Sequence, residues 1–360
     1  MNWEEQLRRN IRRLEDLPKE FVVSKEELEF FRRIKNMETS RSGVSYMPFS
    51  VTEYFLSLSD YTDPNCPIRR QFMPDPRELE ESPMESDDPL YEERYRVSPR
   101  LIHRYRNRVL LLVTNFCPLN CRYCFRRYYK EMEPDVISKK ELELASRYIG
   151  EHREVKEVLL SGGDPLSLSD SKLESIITRL RESRDEIVIR IGSRVLSVLP
   201  DRITDSLIEV FKRHKPIWFV AHFNHPKELS PGVLDKVELL VDSGIPILNQ
   251  SVLLRGINDD PQVLAELFEI LVRNRVKPYY IFQCDLARGT SHFRVPIERG
   301  LTIMERLREV LSGVGMPDYA LDLPGGGGKV SLFAVDIERR GDNYIIKKRE
   351  GSREEYVYPV

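Results

Sequence analysis

The sequence has no uninterrupted apolar stretch of about 18 residues, the length that the hydrocarbon core of a bilayer demands, so a transmembrane helix is excluded. It has little net charge. Its 56 basic and 58 acidic side chains leave −2, so no global field is available to hold nucleic acid or an anionic membrane. The opening residues, MNWEEQLRRNIRRLEDLPKEF, have neither the apolar run of a secretory signal nor the acid-poor composition of a transit peptide. A cytoplasmic location is therefore expected. Cysteine is scarce, at five in 360 residues, an odd number too small for a disulfide scaffold. No solenoid-like repeat is visible. What is present is 41% hydrophobic and 32% charged residues, a composition able to bury a sizeable core.

The first hundred residues differ from the rest. Trp3, Leu7, Ile11 and Leu14 stand at helical spacing, which predicts an N-terminal helical arm. From Asp60 to Asp88 the chain is rich in proline and acidic residues and reads as an extended, turn-rich connection rather than a packed element. From Arg108 onward the pattern becomes short apolar runs, each followed by a segment of helical periodicity. The runs are RVLLLVT, KEVLLS, EIVIRIG, PIWFVAHF, IPILNQSVLL and KPYYIFQCD. Helices are expected near 139–152, 170–183, 204–213, 233–243, 261–275 and 297–312. The fold class is α/β, with six βα units around a parallel sheet whose strands can be apolar on both faces. The expected division is an arm over 1–99, a partial barrel over 100–315 and a C-terminal segment over 316–360.

In parallel barrels the active site gathers at the carboxyl ends of the strands. Here those ends carry Cys117, then Ser161-Gly162-Gly163-Asp164, Ser193-Arg194, His222 with Asn224 and His225, Asn249-Gln250, and Cys284-Asp285. Any one of these is explained by a helix cap or a turn; six together point to a shared site. The sharpest signal is NFCPLNCRYCFRR, which sets Cys117, Cys121 and Cys124 in one loop after the first run. Three thiolates from one loop suit three corners of a cube-shaped iron–sulfur cluster. A structural zinc ion would need a fourth ligand, and neither Cys66 nor Cys284 comes with a CxxC partner. The glycine run LPGGGGKV leaves Lys329 on a tight turn. It is not a nucleotide phosphate loop, because Leu323 and Val330 stand where that motif needs Gly and Ser or Thr.

With its CxxxCxxC loop the chain resembles the radical S-adenosylmethionine (SAM) superfamily. The run HRYRNRVLLLVTNFCPLNCRYCFRR, followed in order by LSGGDPL, RIGSR, AHFNHP, NQSVLLRGIND, YYIFQCDL and LPGGGGK, narrows the resemblance to the lysine 2,3-aminomutases over most of residues 100–330. The resemblance implies a radical SAM partial barrel and an isomerase that moves the α-amino group of L-lysine to the β carbon. It implies a [4Fe-4S] cluster on Cys117, Cys121 and Cys124, with SAM on the open iron. It also implies pyridoxal 5′-phosphate (PLP), with Lys329 as the catalytic Schiff-base residue and Arg104 and Arg108 on the phosphate. Gly162, Gly163 and Asp164 correspond to SAM-side positions and Gln250 to one near both SAM and PLP; Ser161, Ser193 and His222 are weaker candidates. Arg126 corresponds to the residue that binds the substrate carboxylate, and Asp285 and Asp322 to the pair that holds the lysine ε-ammonium.

Two carboxylates converging in a poorly solvated site repel each other unless a cation lies between them. The pair therefore argues for a cationic substrate end and against glutamate, and leaves arginine open. Two rival readings are a radical SAM enzyme without PLP chemistry and an iron–sulfur electron-transfer or sensor protein. The expected partners are a small amino acid and an electron-donor protein, with no nucleic acid and no membrane. No cysteine follows Cys284, so the structural zinc site of the longer family members is missing, which leaves a homodimer or a monomer open.

Overall fold

The computed structural model describes residues 2–39, 47–80, 82, 84–130, 135–349 and 354–360. The N-terminal arm contributes α1 (Trp3–Arg8), α2 (Lys25–Thr39) and α3 (Glu53–Ser57). One sheet then takes ten strands in chain order, beginning with β1 (Arg96–Ser98), β2 (Leu101–Tyr105) and β3 (Arg108–Thr114). It continues with α4 (Lys139–Glu151), β4 (Glu157–Gly162), α5 (Asp170–Ser183), β5 (Val188–Ser193), α6 (Val195–Val198), α7 (Asp205–Arg213) and β6 (Ile217–Ala221). After these come α8 (Pro231–Asp242), β7 (Ile247–Val252), α9 (Pro261–Arg273), β8 (Val276–Phe282), α10 (Ile297–Val310), β9 (Asp318–Leu323) and β10 (Gly328–Ser331). Strands β3 to β9 are parallel, while β1, β2 and β10 run antiparallel at the two edges. A separate antiparallel sheet, β11 (Val335–Arg340), β12 (Asn343–Lys348) and β13 (Glu355–Pro359), ends the chain.

The expected runs and helices form within a few residues of their anticipated limits, because cap and periodicity agree. Ser138 with Glu141 makes a capping box on α4, and Ser169, Thr204, Ser230 and Asp260 cap α5, α7, α8 and α9. The strands are not uniformly buried, however. Val109, Leu111, Val158, Leu160, Ile189 and Ile191 pack into the main core. The alternate residues Leu110, Leu159, Ser161, Arg190 and Gly192 are only half-buried. The alternation follows from the pleat: one face meets the helices and the other lines an open lumen. The anticipated boundary at 315/316 falls beside a strand of this same sheet, since β9 pairs with β8 and extends the barrel.

Two expectations about the first hundred residues change. The helix begun at Trp3 stops at Arg8, and Ile11 instead bridges to Val51 as a short antiparallel pair. The stretch from Asp60 to Asp88 is turn-rich as expected but packed. Cys66, Ile68, Phe72 and Gln71 are fully enclosed, and Glu78 is 5% exposed. The Glu78 carboxylate receives Nε and Nη2 of Arg122 at 2.8 and 2.6 Å, and Nη2 of Arg127 at 2.5 Å. Burial pushes the Glu78 carboxyl up, but the two guanidinium groups outweigh it and hold the group down at about 2.

A carboxyl held below its ordinary value of 4.5 contributes stability that is complete above that value and is lost as pH falls toward 2. Glu78→Gln leaves two buried guanidinium groups on one neutral acceptor. We expect it to cost about 3–5 kcal/mol in denaturant unfolding at neutral pH, with the gap to the parent protein narrowing as the pH is lowered.

Candidate active site

The cysteine loop begins where β3 ends. Cys117, Cys121 and Cys124 are all half-buried, while Arg122 and Tyr123 between them are buried. Neighbouring segments fix the loop backbone: Asn120 N donates to Ser50 O at 3.0 Å and Arg122 N to Gln71 O at 2.9 Å. Gly162 and Gly163 lie directly against it. Gly162 has φ +110°, and a Cβ on Gly162 would stand 2.4 Å from the Thr114 carbonyl oxygen, one on Gly163 2.1 Å from that of Phe116. These glycines therefore let the end of β4 approach the backbone that leads into the cysteine loop.

Among the described residues no three Cys, His, Asp or Glu side chains converge on one point as ligands of a single metal ion. A cubane cluster does not need that, because its corners are separate iron atoms that each take one thiolate. Three half-buried thiols on one pinned loop fit such a group by donor chemistry.

Lys329 sits at the seam between the two edges of the sheet. Its Cα is paired with that of Asp322 across β9 and β10. From the opposite edge the Tyr105 hydroxyl accepts the Lys329 backbone N–H at 3.0 Å, and Arg104 Nη1 stands 3.5 Å from Asp322 Oδ1. The Lys329 ammonium is 3.9 Å from Asp322 Oδ2 and lies over the rings of Tyr280 and Phe282, 4.7 and 4.2 Å from their centroids. Burial draws the amine below its usual pKa, with Asp322 and Asp285 opposing and Arg108 assisting. A lysine that must act as a neutral nucleophile toward an aldehyde needs such a shift, so this residue fits PLP. Arg108 lies 3.9 Å over the Tyr105 ring. Arg104, Arg108 and Lys329 thus share one seam.

Asp285, at the loop after β8, belongs to the same group of charges. Burial comes first in pushing its carboxyl up to about 8, the Asp322 carboxylate adds to it, and Lys329, Arg126 and Arg104 oppose. Arg126 is held by Glu92, with Nε and Nη2 at 3.0 and 2.6 Å from its two oxygens, and Nη1 stands 3.3 Å from Ser161 Oγ. Gln250 shares the lumen-facing, half-buried side of β7 with Leu248. Asp164 stands at the end of β4, where its carboxylate accepts Leu166 N–H at 3.0 Å, Ser193 Oγ at 2.8 Å and Arg194 N–H at 2.8 Å and so braces the ends of β4 and β5. His222 stacks on Tyr123 and meets its hydroxyl at 2.9 Å. Sequence reasoning missed Gln71, Glu78, Glu92 and Tyr105. Each lies in a polar stretch that, read alone, resembles surface.

Residues 111–268 match the radical SAM superfamily. The L-lysine 2,3-aminomutase of Clostridium subterminale is 41% identical over 360 residues, covering 100% of this chain and 84% of that protein. The chain belongs to the lysine 2,3-aminomutase family. A glutamate 2,3-aminomutase of Clostridioides difficile is 36% identical over 96% of this chain and 79% of its own length. Among solved structures, Streptococcus suis SuiB bound to S-adenosylmethionine aligns with a TM-score of 0.46 at 14% identity, over 61% of this chain and 51% of SuiB. No helix among the described residues is long and apolar enough to cross a membrane.

The raised carboxyl of Asp285 gives this family member a measurable signature. Burial and the Asp322 carboxylate raise this carboxyl to about 8, and a cation that enters beside it favours the ionised form, so binding near neutral pH is expected to release a proton. Titration calorimetry with lysine in buffers of different ionisation enthalpy is expected to register that release, and Asp285→Asn to abolish it.

Proposed function

We propose that this aminomutase acts on L-lysine and yields β-lysine. The observation that carries this reading is one group of interacting charges, in which the Lys329 ammonium lies 3.9 Å from Asp322 Oδ2 and the Asp285 carboxyl feels both. Two carboxylates in a weakly solvated site make a poor host for the γ-carboxylate of glutamate and a good one for an ammonium.

Cys117, Cys121 and Cys124 would hold the cluster; Gly162, Gly163, Asp164 and Gln250 would border SAM; Lys329 with Arg104 and Arg108 would hold PLP. When bound, these groups supply one-electron cleavage of SAM, hydrogen-atom abstraction and temporary capture of the migrating nitrogen. The chain's own residues do the rest. Arg126, its guanidinium oriented by Glu92, presents Nη1 to the substrate carboxylate as a fixed cation. Asp285 and Asp322 fix the far end of the substrate, so its β carbon is set by a span between two anchored charges. The rings of Tyr280 and Phe282 over the Lys329 amine keep water from the reacting atoms. Lys329 has to give up a proton to become a nucleophile, and Asp322 Oδ2 is the carboxylate beside it. A one-electron donor protein is the partner this chemistry needs, since the chain carries no second redox motif.

The deciding experiment is anaerobic. The reconstituted enzyme with PLP, SAM and a strong chemical reductant is given lysine, arginine or glutamate, and products are separated by mass-resolved chromatography. β-Lysine alone is expected, with Lys329→Ala losing both the product and the visible absorbance of protein-bound PLP. β-Glutamate or β-arginine as the main product would overturn the substrate, and SAM cleavage without any β-amino acid would favour the reading without PLP chemistry.

A further inference from the structure

The RIGSR run at the end of β5 delivers Arg194, for which the reaction as described has no use. Its guanidinium is 8% exposed and points at the cysteine loop: Nη1 lies 2.8 Å from Cys121 Sγ. The group is tightly held. Nη2 donates to Gln71 Oε1 at 2.5 Å and stands 3.3 Å from Glu228 Oε2. The rings of Phe55 and Tyr123 flank it at 5.0 and 5.6 Å. Glu228 is itself fully buried and is further bound by Ser197 Oγ at 2.5 Å and Asn224 N at 3.1 Å.

We propose that Arg194 is a positioning residue that sets the reduction potential of the iron–sulfur cluster by donating a charged hydrogen bond to the sulfur of Cys121, with Glu228 as the counter-charge that limits its effect. This rests on the reading of Cys117, Cys121 and Cys124 as cluster ligands. Reduction adds one electron to an assembly that its thiolates already make negative. A permanent cation on a ligand sulfur stabilises that added charge more than the oxidised state, which moves the potential upward. Arginine suits the task because it cannot shed its proton, and the low local dielectric keeps the interaction strong. A neutral residue at 194 removes the cation, and a neutral residue at 228 removes the charge that offsets it. The two changes therefore shift the potential in opposite directions.

The test is an anaerobic redox titration of the reconstituted full-length protein, following the reduced cluster by electron paramagnetic resonance, with iron content measured on every sample. Arg194→Gln is expected to make reduction at least tenfold less favourable, about 59 mV more negative for a one-electron couple. Arg194→Lys is expected to return toward the parent value, and Glu228→Gln to lie above it. An Arg194→Gln protein with full iron and the parent midpoint overturns the proposal. If that variant fails to retain iron, Glu228→Gln decides: a raised midpoint supports the proposal and an unchanged or lowered one overturns it. A parent protein that takes up no iron would instead discard the cluster reading itself, and the inference with it.

Discussion

A guanidinium group cannot neutralise itself when it is buried, so every arginine carried into the interior must meet a carboxylate there. The cysteine loop and its surroundings carry four such groups. Arg122 and Arg127 meet on Glu78, Arg126 is held by Glu92, and Arg194 faces Glu228. Two of the three carboxylates come from the N-terminal arm, ahead of the barrel. The arm is thereby part of the site: without Glu78 and Glu92 the loop that bears the thiols would hold uncompensated positive charge. Gln71 reinforces this, since its carbonyl takes Arg122 N–H and its side chain takes Arg194.

The second constraint is charge balance at the seam. An open barrel leaves its two edge regions to be joined by side chains, and here they are joined through groups to which the proposed function gives a role. Arg104 and Lys329 lie beside Asp322, the Tyr105 hydroxyl takes the Lys329 backbone, and the Tyr95 hydroxyl reaches Gly326 O at 3.0 Å. The same carboxylate that would grip a substrate ammonium thus has the protein's own cations against it. Binding of an anionic phosphate at Arg104 and a cationic substrate at Asp322 would exchange partners within one group, and total charge would change little. That economy suits a poorly hydrated lumen, where uncompensated charge is expensive.

Much of this could be read from the chain. The six apolar runs and the helices between them were visible because period, caps and run length agree for each, as for Ser138 before α4. The cysteine loop stood out because its spacing suits thiolate ligation of a cluster, whereas the glycine-flanked Lys329 was assigned its chemistry only through the family resemblance. Glu78 and Glu92 did not, for a physical reason. Each lies in a proline-rich, acidic stretch where local composition signals a solvated turn, and its burial is decided by arginines that arrive from more than thirty residues away. The one-sided burial of the strands was also hidden, because a lumen-facing leucine such as Leu159 has the same local sequence appearance as a core one. Asp164 stands at the expected strand end, and the bracing of the neighbouring loop by its oxygens is a tertiary contact that the local sequence does not announce.

The central claim is that the arm clamps the thiol-bearing loop through buried charge pairs, and amide hydrogen exchange tests it most directly. In the folded Glu92→Gln protein, exchange should accelerate in the cysteine loop around residues 117–127 while the strands β5 to β8 stay as slow as in the parent. Unchanged protection of the loop in that variant would contradict the account and return the arm to the status of a simple connection.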